Sequence, residues 1–101
     1  MSVQSDVLRQ LREIRAELRN LYGVSEIGIF GSIARGEDSI NSDLDILVEF
    51  DPERPADFFV LSALAESLKK TTGYEIDIVT KRSIARKTLL RDRVEKDVIY
   101  V

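Results

Sequence analysis

Gly31 and Ser32, followed after ten intervening residues by Asp43-Leu44-Asp45, are the residues whose types and spacing can do chemistry together. A glycine has no Cβ, so an anion can come close to its backbone, and the adjacent serine adds a hydroxyl. Backbone N–H groups at the start of a helical turn favour phosphate. Residues i and i+2 of a strand project from one face roughly 6.5–7 Å apart, so Asp43 and Asp45 offer hard oxygen ligands on one side. Two carboxylates at that separation can share a pair of divalent ions about 3.5–4 Å apart. With no His and no Cys in the chain, oxygen-only ligation points to Mg²⁺, with Mn²⁺ the alternative. Turn and carboxylates together describe a site for a metal-bound nucleoside triphosphate.

Asp77 is the third carboxylate candidate. It lies in the apolar run Glu75-Ile76-Asp77-Ile78-Val79, pointing away from the face that Ile76 and Ile78 bury. If its strand neighbours the Asp43 strand, Asp77 can lie beside Asp43, ligate metal and receive the proton of an incoming hydroxyl. Glu75 shares its face and is set aside. Arg35 can pair with phosphate or hold its loop through a carboxylate, and it joins Gly31 and Ser32 as a nucleotide-binding candidate. Lys81 and Arg82 can reach a triphosphate or simply be solvated.

The elements that must position these residues are read from periodicity. Leu8, Leu11, Ile14, Leu18 and Leu21 recur at three- and four-residue steps, predicting a helix from about Val3 to Tyr22 that Gly23 ends. Ile27 to Phe30 reads as a buried strand, and Ser32 to Arg35 as one helical turn before Gly36. Asp43 to Phe50 alternates, with Leu44, Ile46, Val48 and Phe50 on one face and Asp43, Asp45, Leu47 and Glu49 on a mostly polar one. After the breaker Asp51-Pro52-Glu53-Arg54-Pro55, a second amphipathic helix carries Phe58, Leu61, Leu64, Ala65 and Leu68. Asp57 is its N-cap and Gly73 its end. Tyr74 to Val79 is a third strand. Ser83 is read as the cap of a last helix with Ile84, Leu89, Leu90 and Val94, and Val98 to Val101 as an edge strand or docked tail. The expected fold is α/β (α+β), a small mixed sheet flanked by helices in a single domain over 1–101.

Composition narrows the function classes. The 101 residues carry a net charge of −3, which argues against general nucleic-acid binding. No apolar run reaches membrane-spanning length, and Asp6, Arg9 and Arg12 interrupt any signal-peptide core, so no membrane role and a cytoplasmic location are expected. Charge is unevenly spread: eight acids and one base lie between Glu37 and Asp57, and seven bases and two acids between Lys81 and Lys96. The thirty-residue dinucleotide-binding unit and the G-x-x-x-x-G-K-[ST] loop are both missing.

The run Phe30-Gly31-Ser32-Ile33-Ala34-Arg35-Gly36, then Ser42-Asp43-Leu44-Asp45-Ile46-Leu47-Val48, with Asp77 in a later strand, resembles the nucleotidyltransferase superfamily typified by DNA polymerase beta. The size and fuller text resemble the minimal nucleotidyltransferases (MNT proteins), over almost the whole chain from about Leu8 to Val101. The resemblance implies a nucleotidyltransferase fold and two Mg²⁺ held by Asp43, Asp45 and Asp77. It implies phosphate contacts from Gly31 and Ser32, and attack of a hydroxyl on the α-phosphorus of ATP with release of pyrophosphate. Larger members carry a further acceptor-binding domain, so a partner or a second copy is expected to hold the acceptor here, as a homo- or hetero-oligomer. MNT proteins are commonly paired with a HEPN-domain toxin, and the resemblance implies an antitoxin that moves AMP to a toxin tyrosine. A non-catalytic antitoxin acting by occlusion, or a small-molecule nucleotidyltransferase, are the alternatives.

Overall fold

The computed structural model describes residues 2–101. Helix α1 (Val3–Tyr22) opens on a capping box in which Ser2 and Ser5 each accept the other's backbone N–H, and closes on Gly23 in the left-handed conformation. Strand β1 (Val24–Phe30) starts three residues before the apolar run that marks it in the sequence. It leads directly into the short helix α2 (Gly31–Arg35). A loop then returns the chain to β2 (Leu44–Phe50), so Asp43 stands just before the strand rather than in it. Helix α3 (Phe58–Thr72) is capped by the Asp57 side chain, which accepts the Val60 N–H at 2.9 Å, and ends at Gly73. Strand β3 (Ile76–Thr80), helices α4 (Lys81–Ile84) and α5 (Thr88–Asp97) and the short strand β4 (Ile99–Tyr100) complete the fold.

The four strands form one mixed sheet in the order β3-β2-β1-β4. β1 pairs antiparallel with both β2 and β4, while β2 and β3 run parallel. A parallel pair needs a crossover, which α3 supplies. Leu44, Ile46 and Val48 of β2 and Ile27 and Ile29 of β1 pack under Leu8, Leu11 and Leu18 of α1 and Leu64 and Leu68 of α3, all buried. Each buried leucine or isoleucine contributes about 1.5–3 kcal/mol, so this layer holds the sheet against its helices.

The opposite face is less polar than the alternation suggested. Leu47 is 2% exposed because Ile84 of α4 and Val94 of α5 cover it, with Phe30, Val79 and Val98 at the edges. Helices therefore lie on both faces, but the second layer is partial. It leaves uncovered the end of the sheet where β2 and β3 begin.

Four local expectations are corrected. The last helix is two, and the cap of the first is Thr80, whose hydroxyl accepts the Ser83 N–H at 3.0 Å; Ser83 sits inside α4. Leu89 is 87% exposed, and Phe58, read as a core residue of α3, is 76% exposed. The breaker segment also closes a helix end, because the Arg54 guanidinium donates to the carbonyls of Arg19, Asn20 and Leu21 and so satisfies the orphan acceptors of α1. Among the described residues no helix is long and apolar enough to cross a membrane.

Candidate active site

Strand register brings the carboxylates together. Asp45 of β2 lies directly beside Asp77 of β3, and Phe30 of β1 lies opposite Asp45 on the other side. Paired strands are about 4.8 Å apart, so the Asp45 and Asp77 side chains leave the same face as neighbours. The sequence suggests Asp77 beside Asp43; the register places it beside Asp45, with Asp43 two residues before. Glu75 does not join them, because its carboxylate takes the Lys69 ammonium at 2.8 Å.

Asp45 is half-buried, whereas Asp43 and Asp77 are exposed. Burial, then the negative charges of Asp77 and Asp43, push the Asp45 carboxyl above its ordinary range, and the Arg35 cation opposes them. The two acids' part of that shift is like-charge repulsion, which a bound cation would relieve.

The start of α2 is built around that same carboxylate. Gly31 has φ +74°, and a Cβ placed on it would lie 2.1 Å from Asp45 Oδ2 and 3.0 Å from Asp45 Cγ. The carboxylate thus occupies the space that a side chain at position 31 would fill. Glycine is required there twice, for its backbone conformation and for the closeness of Asp45. Ser32 follows half-buried, its hydroxyl donating to Ser42 Oγ at 3.3 Å.

Arg35 is turned to carboxylates. Its Nε lies 3.0 Å from Glu37 and a terminal guanidinium nitrogen 2.7 Å from Asp97 at the end of α5. These two hydrogen bonds, to Glu37 first, raise its already high pKa. The pairing with Asp97 fastens α2 to α5 across 62 positions of sequence, a contact with no local signal. Lys81 stands at the other end of β3. It pairs with Glu26, lies 3.5 Å from Glu49 and sits 4.8 Å above the Tyr100 ring, which leaves it tying β1, β2 and β4 to α4. Ser42 carries no chemistry of its own in the sequence; its position directly before Asp43 is the one signal there for a role.

The residues fit a divalent cation by their chemistry: three oxygen donors of like charge, two of them side by side. No three acidic groups among the described residues converge on a single point. Asp43 and Asp77 are exposed, however, and free to change rotamer. A cleft of about 520 Å³ opens elsewhere, lined by Val48, Phe50, Pro52, Pro55, Leu61 and Arg82 among others. It lies three residues along the strands from the Asp45–Asp77 pair, about 10 Å away. Its walls also carry Glu49 and Asp51. Glu49 faces the Lys81 ammonium at 3.5 Å and Asp51 accepts the Glu53 N–H at 2.9 Å, whereas Asp45 and Asp77 stand side by side with no cationic side chain among the described residues between them.

Residues 11–101 match the family described as "nucleotidyltransferase domain". The protein adenylyltransferase MntA of Thermococcus cleftensis is 41% identical over 87 residues, covering 86% of this chain and 84% of that protein. A solved structure of a candidate minimal nucleotidyltransferase superposes with a TM-score of 0.74 at 34% identity, over 98% of this chain and 95% of that one. A toxin–antitoxin structure with AMP-PNP superposes with a TM-score of 0.67 at 26% identity, over 96% of this chain and 70% of that one. The chain therefore belongs to the nucleotidyltransferase family of enzymes, among its minimal members.

Proposed function

We propose that the protein is a Mg²⁺-dependent protein adenylyltransferase that moves AMP from ATP to a tyrosine hydroxyl of a HEPN-domain toxin, and so acts as its antitoxin. The observation that carries this reading is the meeting of Gly31, Asp45 and Asp77 at one open end of the sheet. The adenylyltransferase name of a relative and the nucleotide analogue in a toxin–antitoxin neighbour support the substrate and the partner.

In this reading Gly31 and Ser32 receive the triphosphate against the turn, by the closeness of the glycine backbone and by the serine hydroxyl. Arg35 holds α2 in place through Glu37 and Asp97, and adds positive charge beside the phosphates. Asp43, Asp45 and Asp77 would hold magnesium, which when bound stabilises charge on the leaving oxygen and activates the acceptor hydroxyl. The acceptor oxygen forms a bond to the α-phosphorus while the bond from that phosphorus to the bridging oxygen breaks, releasing pyrophosphate. The hydroxyl proton passes to the carboxylate of Asp77, which is exposed at the edge from which an acceptor comes. Positioning in line, rather than covalent catalysis by the protein, is the main contribution expected for phosphoryl-type transfer.

The decisive experiment incubates the protein with the product of the neighbouring gene and Mg-ATP, read by intact mass. A gain of one AMP on the partner, abolished by Asp77→Asn while the complex persists, is expected. If the partner is silenced with no mass gain, and Asp77→Asn silences it equally, the protein acts by occlusion instead.

A further inference from the structure

Ser42 stands where the two halves of the motif meet. Its Oγ accepts the Ser32 hydroxyl at 3.3 Å and the Ser39 backbone N–H at 2.8 Å, while its own N–H donates to the Ser39 carbonyl at 3.0 Å. A serine oxygen has two acceptor lone pairs, and both are used by these donors. Ser42 is half-buried, so water competes less for them than on an open loop. The remaining neighbour of its hydroxyl, Ser39 Oγ, lies at a long 3.5 Å.

Without Ser42 the Ser32 hydroxyl is free to rotate among its staggered positions. The loop that starts at Glu37 keeps its backbone tie to α2, the Glu37 N–H on the Ser32 carbonyl at 2.9 Å, so the change falls on the Ser32 side chain.

We infer that Ser42 is a positioning residue: in the nucleotide complex its own O–H, which has only the long 3.5 Å contact to Ser39 Oγ, donates to Ser32 Oγ and leaves the single Ser32 proton for a phosphate oxygen. The inference rests on the proposal that Ser32 contacts phosphate. It assigns Ser42 no contact with ATP. Its effect on nucleotide affinity passes through Ser32.

That route makes the test a cycle. Mg-ATP affinity is measured by calorimetry for wild type, Ser32→Ala, Ser42→Ala, the double variant and Ser42→Thr, with thermal melts to show that each is folded. Ser42→Ala should weaken binding by roughly two- to tenfold, the range of one hydrogen bond. The double variant should bind no more weakly than Ser32→Ala alone, and Ser42→Thr, which keeps the hydroxyl, should restore most of the affinity. Unchanged binding by Ser42→Ala, or losses that multiply in the double variant, would overturn the inference while leaving the phosphate site intact. A folded Ser32→Ala with wild-type affinity would remove the phosphate reading itself, and the inference with it.

Discussion

Replacing Gly31 by alanine separates two costs that the structure places at one residue. The backbone cost is that of a non-glycine residue at φ +74°, about 1–2 kcal/mol. In a chain of this size that is about 5–15 °C in melting temperature. The second cost is the collision with Asp45 Oδ2, 2.1 Å from the new Cβ, when ordinary contact begins at 3.4 Å. The colliding atom is the end of a side chain, so the fold can survive by moving the carboxylate. It must retreat by about 1 Å or more, a displacement that costs about a hundredfold in rate at a reacting centre. Gly73 is the control, since its φ is +81° and nothing lies within 4 Å of a Cβ there. Gly73→Ala should therefore lose about 1–2 kcal/mol and keep its transfer rate. Gly31→Ala should lose a similar amount of stability or more, and most of its activity. Adding Gly31→Ala to an Asp45→Ala background should cost the backbone term alone, because Asp45 Cβ is at an ordinary 3.4 Å. Transfer by Gly31→Ala at the rate of Gly73→Ala, by mass-detected adenylylation, would refute the argument.

In chelator-treated protein, Asp45→Asn should melt higher than wild type at neutral pH. The folded carboxyl is raised above 3.8, so the native state binds the proton more tightly than the unfolded chain. Its contribution is fully present below 3.8 and is lost as pH rises through the folded value. The advantage of Asn should thus shrink as pH falls to that range; a constant advantage across a pH series of melts would show that charge is not its source. Arg35→Gln should speed amide exchange in residues 31–36 by releasing α2 from Asp97, with less effect on ATP affinity than Ser32→Ala. A larger loss of affinity would make Arg35 a direct nucleotide contact. Lys81→Met leaves Glu26 and Glu49 facing each other across β1 and β2, at about 1 kcal/mol with solvent screening. Urea melts should show that penalty shrinking as salt approaches about 1 M, and no penalty at either salt would make the triad an ornament of the surface.

The elements with local end signals were the most legible. Local rules end α1 at Gly23 and cap α3 at Asp57, and the structure follows both; the alternation of β2 holds apart from Leu47, which α4 and α5 bury. What local rules do not carry is which strands become neighbours. Nothing near Asp77 specifies that it pairs with Asp45 rather than lying beside Asp43, because register depends on how α3 crosses the sheet. Arg35 is a similar case: its ion pair with Asp97 is supplied by α5, which no residue near Arg35 announces. Phe58 has helical periodicity yet faces out, since it occupies the first turn of α3, where the core layer has not yet begun.

The mixed pairing of the sheet has a consequence for the order in which the enzyme acquires its parts. β1 and β2 are antiparallel and close in sequence, so the turn at Gly31 and the first two carboxylates can assemble within one local unit. Asp77 pairs with Asp45 only across the α3 crossover, which closes a loop of 32 positions. That closure adds roughly 5 RT of chain entropy by the logarithmic law before any parallel pairing repays it. During synthesis the growing polypeptide therefore holds the Gly31 turn and two acids before it holds the third. Catalytic competence should arrive last, as a late event of high contact order, and refolding monitored by activity should lag refolding monitored by the β1–β2 hairpin.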